Sequence, residues 1–222
     1  MNSKKEKVVL ILSGGMDSTT LLYDLLAQDK DVYAVSFDYG QKHKKELDCA
    51  KKTCENLGVE HKMLSLDVLK EVAPSSLTRE DWDVPEGHYT EESMKQTVVP
   101  NRNMVMLSLA TAYAIGIDAK KVYYGAHAGD HAIYPDCRKE FVEAMRKAIL
   151  LCDWNQVELI APYLDLDKGD IALKGKQLGV DYSLTWTCYV GGEKACGKCG
   201  SCTERLEAFK KAGVKDPIEY ED

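Results

Sequence analysis

The sequence predicts an α/β protein with a doubly wound, mainly parallel sheet. Two observations carry that reading. Short β-rich apolar runs alternate with helical patterns along most of the chain, the rhythm of βαβ units. The runs are apolar at successive positions, as expected of strands covered on both faces. The candidate strands are 8–12 (VVLIL), 32–37 (VYAVSF), 61–66 (HKMLSL), 122–125 (VYYG) and 157–161 (VELIA). Between and after them, helical patterns cover 18–28, 43–57, 103–116, 138–151 and 168–178. Gly58 and Gly179 stand just past two of these helices, where a left-handed C-cap is wanted. In such a sheet, ligands bind beyond the carboxyl ends of the strands. The stretch 73–100 breaks the rhythm with a polar, acidic run holding Pro74, Pro85, Gly87 and Pro100. A connection of that length is either a functional lid or a passive surface loop.

The chain is long enough at 222 residues for one large domain with an appendage. A division at residue 183 is expected, with a nucleotide-binding body over 1–183 and a metal-holding segment over 184–222. Acidic residues outnumber basic ones, 36 to 29, which argues against a nucleic-acid backbone as main partner. Lys4, Lys5 and Lys7 precede an apolar run too short for a signal-peptide core. The most apolar helix, near 104–117, is interrupted by Ser108 and Thr111 and is too short to span a bilayer. A soluble cytoplasmic protein with no membrane partner is the expectation. Eight cysteines in a reducing compartment point to metal rather than disulfides, because four crowd together near the C-terminus.

The first strand runs into "LSGGMDST", residues 12–19. A strand, a glycine turn and a helix N-terminus together make an anion site, because backbone N–H groups converge there and the helix end adds positive charge. The dinucleotide fingerprint G-x-G-x-x-G does not match, and a Walker loop would need a Lys that is absent. Ser-Gly-Gly-x-Asp-Ser resembles instead the pyrophosphate loop of the N-type ATP pyrophosphatases. Leu12, Ser13, Gly14, Gly15, Met16, Asp17, Ser18 and Thr19 are then the candidate ATP-binding residues. A loop without the Walker Lys suits holding the β,γ-pyrophosphate as leaving group, which exposes the α-phosphorus to an oxygen nucleophile.

Cys188, Cys196, Cys199 and Cys202 include two C-x-x-C steps after a preceding Cys, a spacing that fits four thiolates around one tetrahedral Zn2+. Such a sphere is closed, so the zinc is expected to be structural; an iron–sulfur cluster fits the same spacing. Arg102, in "VVPNRNMVML", opens a helix between two Asn residues that can cap it. It suits forked recognition of phosphate or carboxylate, and a solvated helix-end Arg is the alternative. "GAHAGDHAIYPDCRKEF" follows the fourth strand, where a ligand belongs. Asp130, Tyr134, Asp136 and Arg138 are its candidate substrate contacts; His127 and His131 are the weaker alternative of a metal pair. Lys168 opens a late helix and either neutralises developing phosphate charge or is an exposed helix Lys. No Ser-His-Asp or Cys-His arrangement for covalent catalysis stands out.

Taken together, "LSGGMDS", "FDYGQKH", "VPNRN", "GAHAGDHAIYPDCR", "LTWTCY" and the terminal cysteines resemble the QueC family of 7-cyano-7-deazaguanine synthases over nearly the whole length. The resemblance implies conversion of 7-carboxy-7-deazaguanine and ammonia to a nitrile, with ATP as co-substrate, Mg2+ assisting and adenylated carboxylate and amide intermediates. It implies a homodimer with no direct nucleic-acid partner. It places Phe37, Tyr39 and Gln41 beside the adenosine, Arg102 and Lys168 in catalysis, and Arg102 with the 130–138 loop on the deazaguanine. A related enzyme stopping at the amide, a tRNA thiolase and a zinc-ribbon binding module are the competing readings.

Overall fold

The computed structural model describes residues 5–87, 92–132 and 134–221. Five strands, β1 (Lys7–Ile11), β2 (Asp31–Asp38), β3 (Glu60–Ser65), β4 (Lys121–Tyr123) and β5 (Glu158–Ile160), form one sheet in the order β3-β2-β1-β4-β5. Every pairing is parallel. The helices are α1 (Met16–Ala27), α2 (Lys45–Leu57), α3 (Val68–Val72), α4 (Arg102–Gly116), α5 (Lys139–Leu150), α6 (Lys168–Leu178) and α7 (Gly200–Lys211). The expected doubly wound architecture is present.

Side-chain alternation along each strand feeds two cores. Val9, Val35, Phe37 and Val122 meet Leu107, Ala110, Val142 and Met145 of α4 and α5. Val8, Leu10, Ala34 and Tyr123 meet Leu21, Leu22 and Leu25 of α1, with Ala50 of α2 and Ile171 of α6. Each such leucine stabilises the fold by about 1.5–3 kcal/mol. The central strand β1 is buried throughout its middle. By contrast β3, the edge strand of the sheet, is half exposed, with Met63 at the surface.

Two regions depart from the expected elements. The segment read only as metal-binding contains α7, whose Ala208, Phe209 and Ala212 pack on Met16, Ala172 and Tyr182. The 73–100 stretch is docked along the described parts of its course. Ser76 N donates to the Gln96 carbonyl at 2.9 Å, Gly87 N donates to the Lys198 carbonyl at 3.1 Å, and Glu86 bridges Cys199. Among the described residues, no helix is long and apolar enough to cross a membrane.

Candidate active site

The chain leaves β1 toward β2 on one side, while β4 lies on the other. The carboxyl ends of β1 and β4 therefore flank a switch-point crevice. A cleft of about 210 Å3 occupies it.

Leu12, Ser13 and Gly15 line the cleft, and Gly14 holds their loop against α2. Gly14 has φ +86, and a Cβ there would stand 1.9 Å from the Glu46 carbonyl oxygen. Only glycine lets the loop lie so close to α2. Gly15 is the N-cap of α1 and has no side-chain cap, so the helix end keeps unsatisfied N–H groups for a ligand. The hydroxyls of Ser13 and Ser18 lie 3.0 Å apart, and Ser13 N donates to Ser18 Oγ at 3.2 Å. That contact closes the loop on itself.

Behind this loop sits a charge cluster. Asp17 Oδ2 lies 3.6 Å from both His127 Nε2 and Lys168 Nζ; Lys168 Nζ donates to Glu204 Oε2 at 2.6 Å, and His127 Nε2 is 3.5 Å from Asp130. Burial alone would raise the Asp17 carboxyl, but Lys168 and His127 outweigh it and hold it at about 2. Burial opposes charge on His127, yet Asp130 and Asp17 carry it up to about 9. Gly129 N donates to His127 Nδ1 at 3.1 Å, which suits a neutral ring; two carboxylates outweigh that single backbone donor. For Lys168, burial is overcome by Asp17 and Glu204, which raise its ammonium above the ordinary lysine range. The exposed-helix alternative for Lys168 fails, since its side chain is 7 % exposed. The other carboxylate oxygen of Asp17, Oδ1, is buried without a partner.

The cleft also has aromatic walls, with Phe37, Tyr39, Tyr124, Trp186 and Tyr189 among them. Arg102 donates to Tyr39 Oη at 3.2 Å and stacks on that ring at 5.4 Å. The helix it opens is not capped by its Asn neighbours. Asn101 is left-handed, φ +62, without a side-chain cap, and Asp136 Oδ2 accepts from Asn103 N at 3.1 Å. Gln41 lies beside the cleft. It accepts from Tyr39 N and donates to the Phe37 carbonyl and to Glu46 Oε1, bracing the turn after β2.

Of the sequence candidates, the cleft thus gathers Leu12, Ser13, Gly15, Asp17, Ser18, Phe37, Tyr39, Arg102, Asp130 and Lys168. Met16 and Thr19 face the interior. Tyr134 bonds Thr97 and Tyr189 through its hydroxyl, Asp136 serves α4, and the exposed Arg138 is the N-cap residue of α5. The side chain of His131 lies outside the described residues. Sequence reasoning missed Glu46, Trp186, Tyr189 and Glu204. Glu46 sits in the charge-rich run "HKKELD", where nothing marks one carboxylate as half-buried against the cleft. Burial, the main influence, lifts it to about 7 against the pull of Arg102 and of the Gln41 hydrogen bond.

The four C-terminal cysteines are buried with ligand atoms within 4.8 Å of one another. Cys196 N donates to Cys188 Sγ, while Lys198 N and Cys199 N donate to Cys196 Sγ. Sulfurs that accept backbone N–H groups are set up as thiolates, a donor set that fits a tetrahedral soft-metal site. Hydrogen bonds from Cys199 and Cys202 hold the Cys188 thiol far below the usual thiol range. The cluster is tied to the cleft, for Trp186 N donates to the Gly14 carbonyl at 3.0 Å and Lys45 stacks on Trp186 at 3.7 Å.

A doubly wound sheet whose switch point carries a Ser-Gly-Gly-x-Asp-Ser loop defines a pyrophosphate-loop α/β protein. NMN synthetase from Francisella tularensis has a similar fold, with TM-score 0.53 at 16 % identity over 97 % of this chain and 80 % of that one. A 4-thiouridine synthetase, solved with RNA and bound ATP, is similar with TM-score 0.51 at 16 % identity over 94 % of this chain and 50 % of that one. The chain belongs to the QueC family, described as queuosine biosynthesis proteins, which matches residues 7–213. It is 68 % identical to 7-cyano-7-deazaguanine synthase of Caldicellulosiruptor saccharolyticus over 97 % of this chain and 96 % of that protein. It is 69 % identical to the enzyme of that name from Methanoregula boonei over 97 % and 99 % of the two chains. The chain is therefore an enzyme, a synthase of the pyrophosphate-loop class.

Proposed function

We propose that the chain makes 7-cyano-7-deazaguanine from 7-carboxy-7-deazaguanine, ammonia and ATP, through adenylated carboxylate and amide intermediates. The observation that carries this reading is the glycine loop backed by the Asp17–His127–Lys168 cluster at the switch point. Ser13, Gly14, Gly15 and Ser18 hold the β- and γ-phosphates as the leaving group, and the α-phosphorus faces the cleft. Lys168, charged and buried, offsets the charge that develops there. Arg102, steadied on Tyr39, presents its fork to the substrate carboxylate. Phe37 and Tyr39 flank the adenosine, and Asp130 faces the open cleft.

The orphaned Oδ1 of Asp17 beside this loop fits a divalent cation. Mg2+ bound there would neutralise phosphate oxygens. Zn2+ suits the four sulfurs of Cys188, Cys196, Cys199 and Cys202 as a closed, structural site. Residues 184–222 then form a metal-stiffened wall on the 1–183 body. Cysteines that are all unpaired support a reducing, cytoplasmic setting, and a homodimer completes the reading.

The test is incubation with carboxy-deazaguanine, ammonium and ATP, followed by mass analysis of base and nucleotide. Nitrile with AMP and pyrophosphate is expected. A base heavier by one water would mark an enzyme that stops at the amide, and ADP alone would overturn activation at the α-phosphorus.

A further inference from the structure

A second cavity, of about 30 Å3, adjoins the cleft and shares Tyr39, Glu46 and Tyr189 with it. Its remaining wall includes Gln41 and Leu77. A water-sized molecule needs roughly 10–15 Å3, so the cavity admits one such molecule and is too small for a nucleobase or a phosphate. The Glu46 carboxylate, which lines both the cavity and the cleft, offers an acceptor to a small donor. Lys42, the lysine on its rim, turns its ammonium outward to the Trp82 carbonyl.

We propose that this side cavity is an ammonium subsite, and that Glu46, in the wall between cavity and cleft, takes the proton ammonium must lose before its nitrogen attacks. The proposal rests on the ammonia-dependent reaction set out above. Near neutral pH, dissolved ammonia is almost entirely ammonium, which has no lone pair. When a proton passes from ammonium to the Glu46 carboxylate, the freed pair on nitrogen forms the C–N bond to the adenylated carbonyl. The C–O bond to the nucleotide breaks, and AMP departs with that electron pair. The new C–N nitrogen then loses one further proton to water, leaving the amide.

The Arg102 guanidinium from α4, with the Tyr39 phenol and the Gln41 amide from the turn after β2, face Glu46; Lys42, His43 and Cys188 line the same side cavity. Burial raises the carboxyl to about 7 while Arg102 favours its ionised form. It can therefore both hold and release a proton near neutrality. The other carboxylates lining the cleft, Asp17 and Asp130, are held by His127 and Lys168 at the phosphate end.

Glu46→Gln and Leu77→Phe test the assignment, the second by filling the side cavity from a residue outside the cleft. Steady-state kinetics with ammonium varied should show its KM raised about tenfold to a hundredfold in each. Pyrophosphate release and adenylated base, measured with ATP and carboxy-deazaguanine without ammonium, should match the parent protein in Leu77→Phe. Glu46→Gln should also regain rate as pH rises, because free ammonia then arrives without needing a base. A parent-like ammonium KM in Glu46→Gln overturns the inference, as does loss of adenylation in a Leu77→Phe protein that melts normally. Should Leu77→Phe fail to fold, Glu46→Gln decides alone. Absence of adenylate in the parent protein would instead overturn the underlying reaction.

Discussion

Replacing Gly14 by Ala probes the loop on which the chemistry depends. Its φ of +86 costs a residue with a Cβ about 1–2 kcal/mol. The new Cβ would also lie 1.9 Å from the Glu46 carbonyl oxygen and 2.8 Å from its carbonyl carbon, where contact needs roughly 3.5 Å. Loop and α2 must part by about 1.5 Å. They cannot do so freely, since Trp186 N holds the Gly14 carbonyl and Lys45 ties α2 to the Glu193 carbonyl and the Trp186 ring. An overpacking cost similar to the backbone cost brings the loss to about 2–4 kcal/mol, or roughly 4–16 °C in melting temperature for a chain of this size. Displacement on the ångström scale lowers turnover about a hundredfold. Gly15→Ala is the control. Its φ is −76, and the nearest atom to an added Cβ is Ser13 Oγ at 3.4 Å, so stability changes by no more than about 1 kcal/mol. Calorimetric melting and AMP release report the two effects. A Gly14→Ala protein that melts and turns over like its parent refutes the argument.

Three further outcomes are expected. Arg205 is fully buried and spends its guanidinium on Asp216, Thr185, Thr187 and the Tyr182 carbonyl; Arg205→Met leaves Asp216 without its ion-pair partner, though still bonded to Tyr220 and Ile218 N, and costs about 3–5 kcal/mol in urea unfolding. The folded pKa of His127, about 9, lies above its usual 6.5, so its contribution is complete below pH 6.5 and is lost as pH rises through 9. The unfolding free energy from urea titrations should fall across that window by on the order of 3 kcal/mol, and His127→Gln should flatten the fall; an unchanged slope counts against the cluster. Chelation, or Cys199→Ser, should reduce bound zinc measured by elemental analysis. It should also weaken ATP binding in calorimetry, because the Trp186–Gly14 contact loses its stiff support.

Much of this was legible because it is local. The helix over 168–178 ends where expected, since Asp167 and Asp170 form a capping box at its start and Gly179 takes φ +70 at its close. Helix α2 is closed likewise by Gly58 at φ +66. The metal spacing is equally local, although the helix behind it was not seen. Arg205 in the middle of α7 gives no apolar periodicity, and its ion pair with Asp216 together with its bonds to Thr185, Thr187 and the Tyr182 carbonyl makes its burial tolerable.

By itself, then, the order of residues determined the alternation of strand and helix, the glycine loop, the cysteine quartet and hence the family. These depend on turn chemistry and spacing between near neighbours. The fold alone decided that β3 is an edge, that Asp136 caps α4, that Glu46 reaches the cleft while Tyr134 and Arg138 stand outside it, and that Glu204 pairs with Lys168. Which polar groups face one another across a crevice depends on how distant segments pack, and burial then sets their charge; neither is written in the pattern of any single stretch.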